Sequence, residues 1–395
     1  KEAPMVFAEN DRWRGEFRAE ENTRYLYRIV AWMDPVASWF RHVEKKCPVA
    51  ASVLSEVLEG LALLKEVAAL VKGGDARTIA GLIRSLEAAK GASAEVLKLV
   101  QPSATRELFL KYPLRRLESD SEVYELVADR KKAEFGSWYE IFPRSQGRKE
   151  GESATFRDCI RRLPEIKEMG FDVLYLTPIH PIGITKRKGP NNSLTPEKNS
   201  PGSPWAIGSK EGGHKSVHPD LGTMKDFELF VKKAGDLGIE IALDIAFQCS
   251  PDHPYVKEHP EWFFHRPDGT IHYAENPPKK YEDIYPLDFH CDHWRELWDE
   301  MKSIILFWLG KGVRIFRIDN PHTKPLGFWH WLIGEVQKDH PEAIFFAEAF
   351  TRPKVMKYLA KAGFTQSYTY FTWRNVKWEI RQYLEELTQT EMRLY

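Results

Sequence analysis

Three times in its second half the chain ends an amphipathic run at a glycine and passes directly into apolar residues: Met169-Gly170-Phe171, Leu237-Gly238-Ile239 and Lys311-Gly312-Val313. Glycine adopts the left-handed conformation in which helices commonly stop, so each junction reads as a helix end feeding a buried strand. Around these junctions, apolar runs ("WYEIF", "DVLYLTPI", "IEIALDIA", "VRIFRID", "AIFFAEAF", "SYTYF") alternate with helical segments such as "MKDFELFVKKAGDLG" and "HWRELWDEMKSIILFWLGKG". Strands buried on both faces are continuously apolar, and alternation with helices argues parallel pairing. The pattern predicts an α/β fold, a (β/α)8 TIM-type barrel over residues 133–395. Six strands are readable, so the C-terminal part of the barrel is expected to be absent from this chain.

Upstream the periodicity differs. Residues 1–33 contain the strand-like runs "MVFA", "WRGEFRA" and "RYLYRIVAW", separated by polar turns, and read as the end of an N-terminal β-sandwich domain. Residues 34–132 are expected to form a helical bundle insertion. Its longest run has helical periodicity, with apolar residues at Val53, Leu54, Val57, Leu58, Leu61, Leu64, Val67 and Ala68, and stops at a Gly pair. The next run repeats the plan with Asp75 as expected N-cap. This bundle is expected to be a packing element without chemistry or an interaction or dimerisation element. Inside the barrel, two long stretches, 183–222 and 250–286, follow the second and third strands. Long loops in compact α/β domains are usually functional, and barrel active sites are built from the loops after the strands.

Composition excludes several classes. Lys+Arg and Asp+Glu are balanced at 57 each, which argues against nucleic acid and anionic membranes as partners. Cys47, Cys159, Cys249 and Cys291 are scattered without a C-x-x-C pair, which fits a reducing compartment and no disulfide framework. No run reaches the ~18–20 apolar residues of a membrane span, and no signal peptide opens the chain. A cytoplasmic protein is expected. No His, Asp or Glu cluster has compelling metal-ligand spacing, so neither a metal nor another cofactor is expected.

The chemistry concentrates at the strand ends. Asp244 closes "IEIALD", Asp319 closes "VRIFRID" and Glu348 closes "AIFFAE". A buried carboxylate is costly unless paired or functional, and here three successive apolar strands each deliver one at the edge that faces the loops. Two carboxyls about 5–5.5 Å apart suit double-displacement glycosyl transfer, one attacking the anomeric carbon and the other protonating the leaving oxygen. Arg317, two residues before Asp319, points to the same strand face and would keep Asp319 ionised as a nucleophile. Glu348, set among phenylalanines, should have a raised pKa suited to an acid/base.

This order of strand-end Asp, R-x-D and then Glu resembles the α-amylase superfamily of retaining glycosidases and transglycosylases. The segments "ALDIAFQCSPDHP", "HPEWFFHRPDGTIHYAENPPKKYEDIYPLDF", "FRIDNPHTKP" and "FFAEAFTRPKVM" resemble, more narrowly, the bacterial α-1,4-glucan:maltose-1-phosphate maltosyltransferase family. The resemblance covers essentially the whole chain. It implies Asp319 as nucleophile, Glu348 as general acid/base, Arg317 as orienting cation and Asp244 as a substrate-binding group. It further implies that phosphate is held by Lys188, Gln248, Asn276, Tyr281 and Asn320, a set of one cation with amide and phenol donors that suits an oxyanion. Gln248 and Cys249 replace the Asn-His pair usual in the superfamily, and Asn320 stands where a small apolar residue is frequent. A phosphorylated donor explains these departures better than an ordinary amylase does. A homodimer is implied by the family alone, and the superfamily's third acid, after a seventh strand, is not in the chain.

The implied reaction moves maltosyl from α-maltose 1-phosphate to the non-reducing end of an α-1,4-glucan and releases phosphate. Two alternatives stand beside it: an α-glucan hydrolase or trehalose/maltose-interconverting enzyme on the same barrel, and an inactive glucan-binding or scaffold chain. Among weaker signals, Lys188 taken alone reads as a solvated loop lysine, and Trp329 and Trp331 read as packing. Trp205 is balanced between sugar contact and structure. Asp252 and His253 read as loop-ordering groups.

Overall fold

The computed structural model describes residues 1–197 and 199–394. They divide into two compact units, one of residues 25–126 and one of residues 1–24 with 127–395.

The larger unit is organised by a parallel six-stranded sheet: β1 (Trp138–Ile141), β2 (Val173–Leu176), β3 (Glu240–Ile245), β4 (Ile315–Asp319), β5 (Ile344–Glu348) and β6 (Gln366–Ser367). Spatial order follows chain order, with helices between successive strands, as a partial TIM barrel requires. The expected glycine junctions are present: Gly170, Gly238 and Gly312 have φ of 88°, 70° and 93°. The helix Met224–Asp236 shows how one crossover is built. Thr223 and Asp226 form a reciprocal capping box at its start, and Phe227, Phe230 and Ala234 are its buried face. Each large side chain so enclosed contributes about 1.5–3 kcal/mol.

Successive strand residues point to opposite faces, and this alternation sorts the chemistry. Leu174, Leu176, Ile241, Leu243, Phe316, Ile318 and Phe345 join the main core with Phe227, Ile304, Trp308 and Trp329 from the helices. Val173, Tyr175, Ala242, Ile315 and Ile344 form a second, smaller cluster on the other face. Counting in twos from that inner cluster gives Asp244, then Arg317 and Asp319, then Glu348. The charged groups continue the inner face to its carboxyl edge.

The sixth strand is shorter than its sequence suggests. Only Gln366–Ser367 pairs, and Tyr370–Trp373 forms a 3-10 turn in which the Thr369 hydroxyl accepts from the Phe371 N–H. A threonine cap here overrides the strand propensity of the aromatics.

The 25–126 unit carries five helices, Pro35–Lys46, Leu54–Leu70, Gly74–Ala89, Ser93–Val100 and Ser103–Leu110. Val43, Val57, Leu64, Val67, Ile79, Leu86 and Val96 belong to its apolar core. Two sequence expectations change here. The helical stretch ends at Leu110 rather than near residue 132. Arg116–Asp120 and Tyr124–Ala128 are strands that pair with Val30–Met33 and Thr23–Tyr27, so long-range pairing decided a segment whose local pattern was weak. Asp75 does not cap its helix: Gly73, at φ 78°, is the N-cap, and the Asp75 carboxylate accepts from the Tyr112 hydroxyl at 2.9 Å.

Candidate active site

Register brings the acids together. Arg317 of β4 pairs with Asp244 of β3, and Asp319 pairs with Glu348 of β5. Neighbouring parallel strands lie about 4.8 Å apart, so side chains paired on one face fall within reach of a single guanidinium. Arg317 Nη1 donates to Asp244 Oδ2 at 3.0 Å and to Asp319 Oδ1 at 2.8 Å. Its Nη2 lies 3.7 Å from Glu348 Oε2. One cation thus faces three carboxylates in a pocket where Asp244 is fully enclosed and Arg317 and Asp319 are each 8% exposed.

That imbalance sets the protonation states. Burial pushes Asp244 up to about 7 although Arg317 pulls against it. Burial also raises Glu348 above the usual carboxylate range, again resisted by Arg317. Arg317 loses hydration, yet Asp244 and its other anionic neighbours hold it above its ordinary value. The arrangement keeps a guanidinium hydrogen-bonded to Asp319 while Glu348 retains affinity for a proton, the division a nucleophile and an acid/base require.

Trp205, left balanced by the sequence, and three groups that sequence reasoning did not single out complete the cluster. The Tyr175 hydroxyl of β2 donates to Asp244 Oδ2, and Trp205 Nε1 donates to the same oxygen at 3.3 Å. Trp205 therefore belongs to the charged site rather than to scaffold alone. Tyr368, just after β6, lies with its ring 5.8 Å from the Arg317 guanidinium carbon. Lys324 is pushed down to about 8 by burial, with Asp319 and Glu348 opposing the shift. Tyr175 could have been found from sequence, since a phenol inside a buried strand needs a hydrogen-bond partner. Lys324 left no such signal.

The residues assigned to phosphate fall in two groups. Asn320 adjoins the carboxylates, and Gln248 adjoins Trp205, whose indole bonds Asp244. Asn320 is left-handed at φ 45°, a conformation asparagine tolerates better than most residues. In that pose its N–H donates to Glu348 Oε2 at 3.2 Å and its amide to Asp319 Oδ2 at 3.3 Å. Gln248 donates to the Trp205 carbonyl at 3.1 Å. The second group lies on loops. Asn276 and Tyr281 stand on the two strands of a hairpin, Ala274–Asn276 and Lys279–Tyr281. Lys188 Nζ donates to the Lys280 carbonyl at 3.3 Å. At 5% exposure Lys188 is not a solvated loop lysine. Asp283 stands nearby, buried, with Oδ1 unpartnered among the described residues, and burial raises its carboxyl while Lys188 counteracts the shift.

One group of metal-capable side chains does converge. His214, Cys249 and His253 are buried with ligand atoms within 4.8 Å of one another. Their hydrogen bonds commit the imidazoles elsewhere. The Tyr255 N–H donates to His253 Nδ1 at 3.0 Å, so a neutral His253 carries its proton on Nε2. That proton goes to His214 Nδ1 at 3.1 Å, and His214 Nε2 donates to the Ala246 carbonyl at 2.9 Å. His253 would have to become an imidazolate, or lose the Tyr255 bond, to ligate through Nε2. Burial holds His214 near 4 and His253 near 2, so both are neutral packing groups at physiological pH. His253 orders its loop, and Trp329 is fully enclosed in the core.

Known proteins resemble the chain over most of its length. Residues 1–130 match the family model for domain N/S of α-1,4-glucan:maltose-1-phosphate maltosyltransferase, and residues 140–298 match that for the α-amylase catalytic domain. The chain is 50% identical over 393 residues to an α-1,4-glucan:maltose-1-phosphate maltosyltransferase of Chlorobaculum tepidum, covering 99% of this chain and 58% of that protein. It is 53% identical over 394 residues to the enzyme of the same name from Myxococcus xanthus, covering 98% and 59%. The chain thus spans somewhat over half the length of these relatives. Among solved structures it is similar to an α-amylase from Lactobacillus plantarum, with TM-score 0.52, 28% identity and coverage of 66% and 61%. A maltogenic α-amylase from Thermotoga neapolitana gives TM-score 0.52 and 26% identity, with coverage of 64% and 56%.

Proposed function

Because the chain belongs to the α-1,4-glucan:maltose-1-phosphate maltosyltransferase family of the α-amylase superfamily, we propose that the protein transfers maltosyl from α-maltose 1-phosphate to the non-reducing end of an α-1,4-glucan. The observation that carries this reading is the Asp319–Glu348 pairing across β4 and β5 with Arg317 bonded to Asp319. Asp319 attacks the anomeric carbon, the bond from that carbon to the phosphate oxygen breaks, and a β-maltosyl ester forms. Glu348 gives its proton to the departing phosphate. The acceptor 4-hydroxyl then attacks the same carbon, Glu348 takes its proton, and Asp319 leaves as carboxylate. Two inversions restore the α configuration.

Lys188, Gln248, Asn276, Tyr281 and Asn320 take the phosphate. The burial of Lys188 beside the 274–281 hairpin and the position of Asn320 between Asp319 and Glu348 support the assignment. The experiment uses full-length protein with α-maltose 1-phosphate and a short maltooligosaccharide. Phosphate release with chain growth by two glucoses is expected. Reducing sugar formed without need of the phosphorylated donor would instead establish the hydrolytic alternative. Within the same reading the protein is a cytoplasmic homodimer; sedimentation of the full-length protein as a monomer removes the dimer from it. No helix among the described residues is long and apolar enough to cross a membrane.

A further inference from the structure

Between β2 and β3, the segment that carries Lys188 is held by a carboxylate from a different loop. Asp252 lies after β3. Its Oδ2 accepts from the Ile184 N–H at 2.6 Å and the Thr185 N–H at 2.7 Å, and its Oδ1 accepts from the Thr185 hydroxyl at 2.7 Å. Two consecutive backbone donors and a hydroxyl on one carboxylate make a charge-assisted staple. Burial acts to raise the Asp252 carboxyl, yet the bonds from Thr185 and Ile184 hold it below the usual range.

The surroundings are shaped for this approach. A Cβ on Gly183 would stand 2.4 Å from Ser250 Cβ and 3.3 Å from Asp252 Oδ2, so only glycine lets the two loops close. Ser250 fixes the other side: its hydroxyl donates to the Gly208 carbonyl at 2.6 Å and accepts from the Asp252 N–H at 3.1 Å. Arg187 then folds the segment on itself by donating to the carbonyls of Gly183, Ile182 and Ser200. Beyond it, Lys188 reaches the Lys280 carbonyl of the hairpin that carries Asn276 and Tyr281. Ile182, Ala206 and Ile284, with Ala274 and Tyr281 against them, close the same region with an apolar cluster. Asp252 grips the segment at Ile184 and Thr185, Arg187 bonds its start at Ile182 and Gly183, and the backbone carries both constraints to Lys188.

We propose that Asp252 is a positioning residue for the anionic leaving group of the donor, acting through the 183–188 segment to set the Lys188 ammonium. This rests on the donor assignment made under Proposed function. Asp252 touches no reacting atom, so its loss should weaken recognition of the phosphate and spare the chemistry at Asp319. Buried ammonium groups on flexible four-carbon stems gain orientation only from what surrounds them, and this staple fixes where the Lys188 stem begins.

The test compares two donors on the full-length protein: α-maltose 1-phosphate, and α-maltosyl fluoride, which lacks the phosphate. In Asp252→Ala, KM for the phosphorylated donor should rise by about tenfold, the loss of a charge-assisted contact. Turnover of the fluoride should change by less than about twofold. Thr185→Val, which removes only the hydroxyl bond, should move KM in the same direction by a smaller factor. It also keeps the question answerable if Asp252→Ala fails to fold. Equal losses on both donors would reduce Asp252 to a structural residue and overturn the inference, as would an unchanged KM for the phosphorylated donor in a folded variant. If unmodified protein releases no phosphate from α-maltose 1-phosphate, the donor assignment fails first and this inference falls with it.

Discussion

The core of the 25–126 unit and the carboxyl edge of the parallel sheet are both closed to water, but they are filled with opposite materials. Leu64, Val67, Ile79, Leu86 and Val96 are completely enclosed in the first. Its buried acid, Glu56, is bound by Lys46. At the sheet edge Asp244, Arg317 and Asp319 are enclosed together, and Glu348 borders them at 17% side-chain exposure. An apolar interior gains stability roughly in proportion to the area it hides. A charged interior depends on the cation its acids share, because removing Arg317 leaves three carboxylates unpaired in a medium of low dielectric. The first kind of interior degrades by increments, whereas the second should fail as a unit.

Four substitutions test that contrast, in descending order of expected effect. Asp319→Ala should lower maltosyl transfer by on the order of 10⁴-fold or more, assayed as phosphate release. The fold should survive, since Arg317 keeps Asp244 and Glu348. Retained transfer would place the nucleophile elsewhere. Arg317→Met leaves three carboxylates without their shared cation and should cost about 3–5 kcal/mol in urea unfolding, with transfer lost at neutral pH. A variant as stable as the parent would mean that the edge is not a charge-coupled unit. In the other interior, Leu64→Ala should cost about 2–5 kcal/mol, while transfer per folded molecule stays unchanged. A parallel loss of turnover in fully folded protein would dissolve the distinction between the two regions.

The smallest effect concerns pH. The folded state raises Asp244 to about 7, above the roughly 3.9 of an unfolded chain. A raised carboxyl favours the folded state while protonated, so its contribution is complete below about pH 4 and is lost as pH rises through 7. Asp244→Asn should flatten that part of the stability profile, measured by thermal unfolding between pH 4 and 8. An unchanged slope would assign the pH dependence to Glu348 instead, whose carboxyl is also raised.

Much of the sheet edge was legible before any coordinates. Acids ending three consecutive apolar runs, with an arginine at i−2, are local facts, and period-two alternation places them on one face. The glycine junctions were legible for the same reason, since φ near 70–93° at Gly238, Gly170 and Gly312 is a property of the residue itself. What failed was non-local. Arg116–Asp120 and Tyr124–Ala128 became strands because Val30–Met33 and Thr23–Tyr27 were available to pair with them. Asp75 lost its capping role to Gly73, and "SYTYF" was turned aside by the Thr369 cap. Lys324 and Asp283 were invisible because burial alone makes them unusual.

The sequence by itself determined the chemical inventory and its spacing along each strand: Asp244, Arg317, Asp319 and Glu348 at the edge, and the helix stops that deliver the strands. Only the tertiary structure decided that Arg317 stands opposite Asp244 while Asp319 stands opposite Glu348, that Asp252 grips Thr185, and that Lys188 lies buried against the Lys280 backbone. Spacing within one strand is covalent and travels with the chain. Register between strands and the desolvation of a charge arise only when distant segments close on one another, and those two quantities set which carboxyl is ionised and which holds a proton.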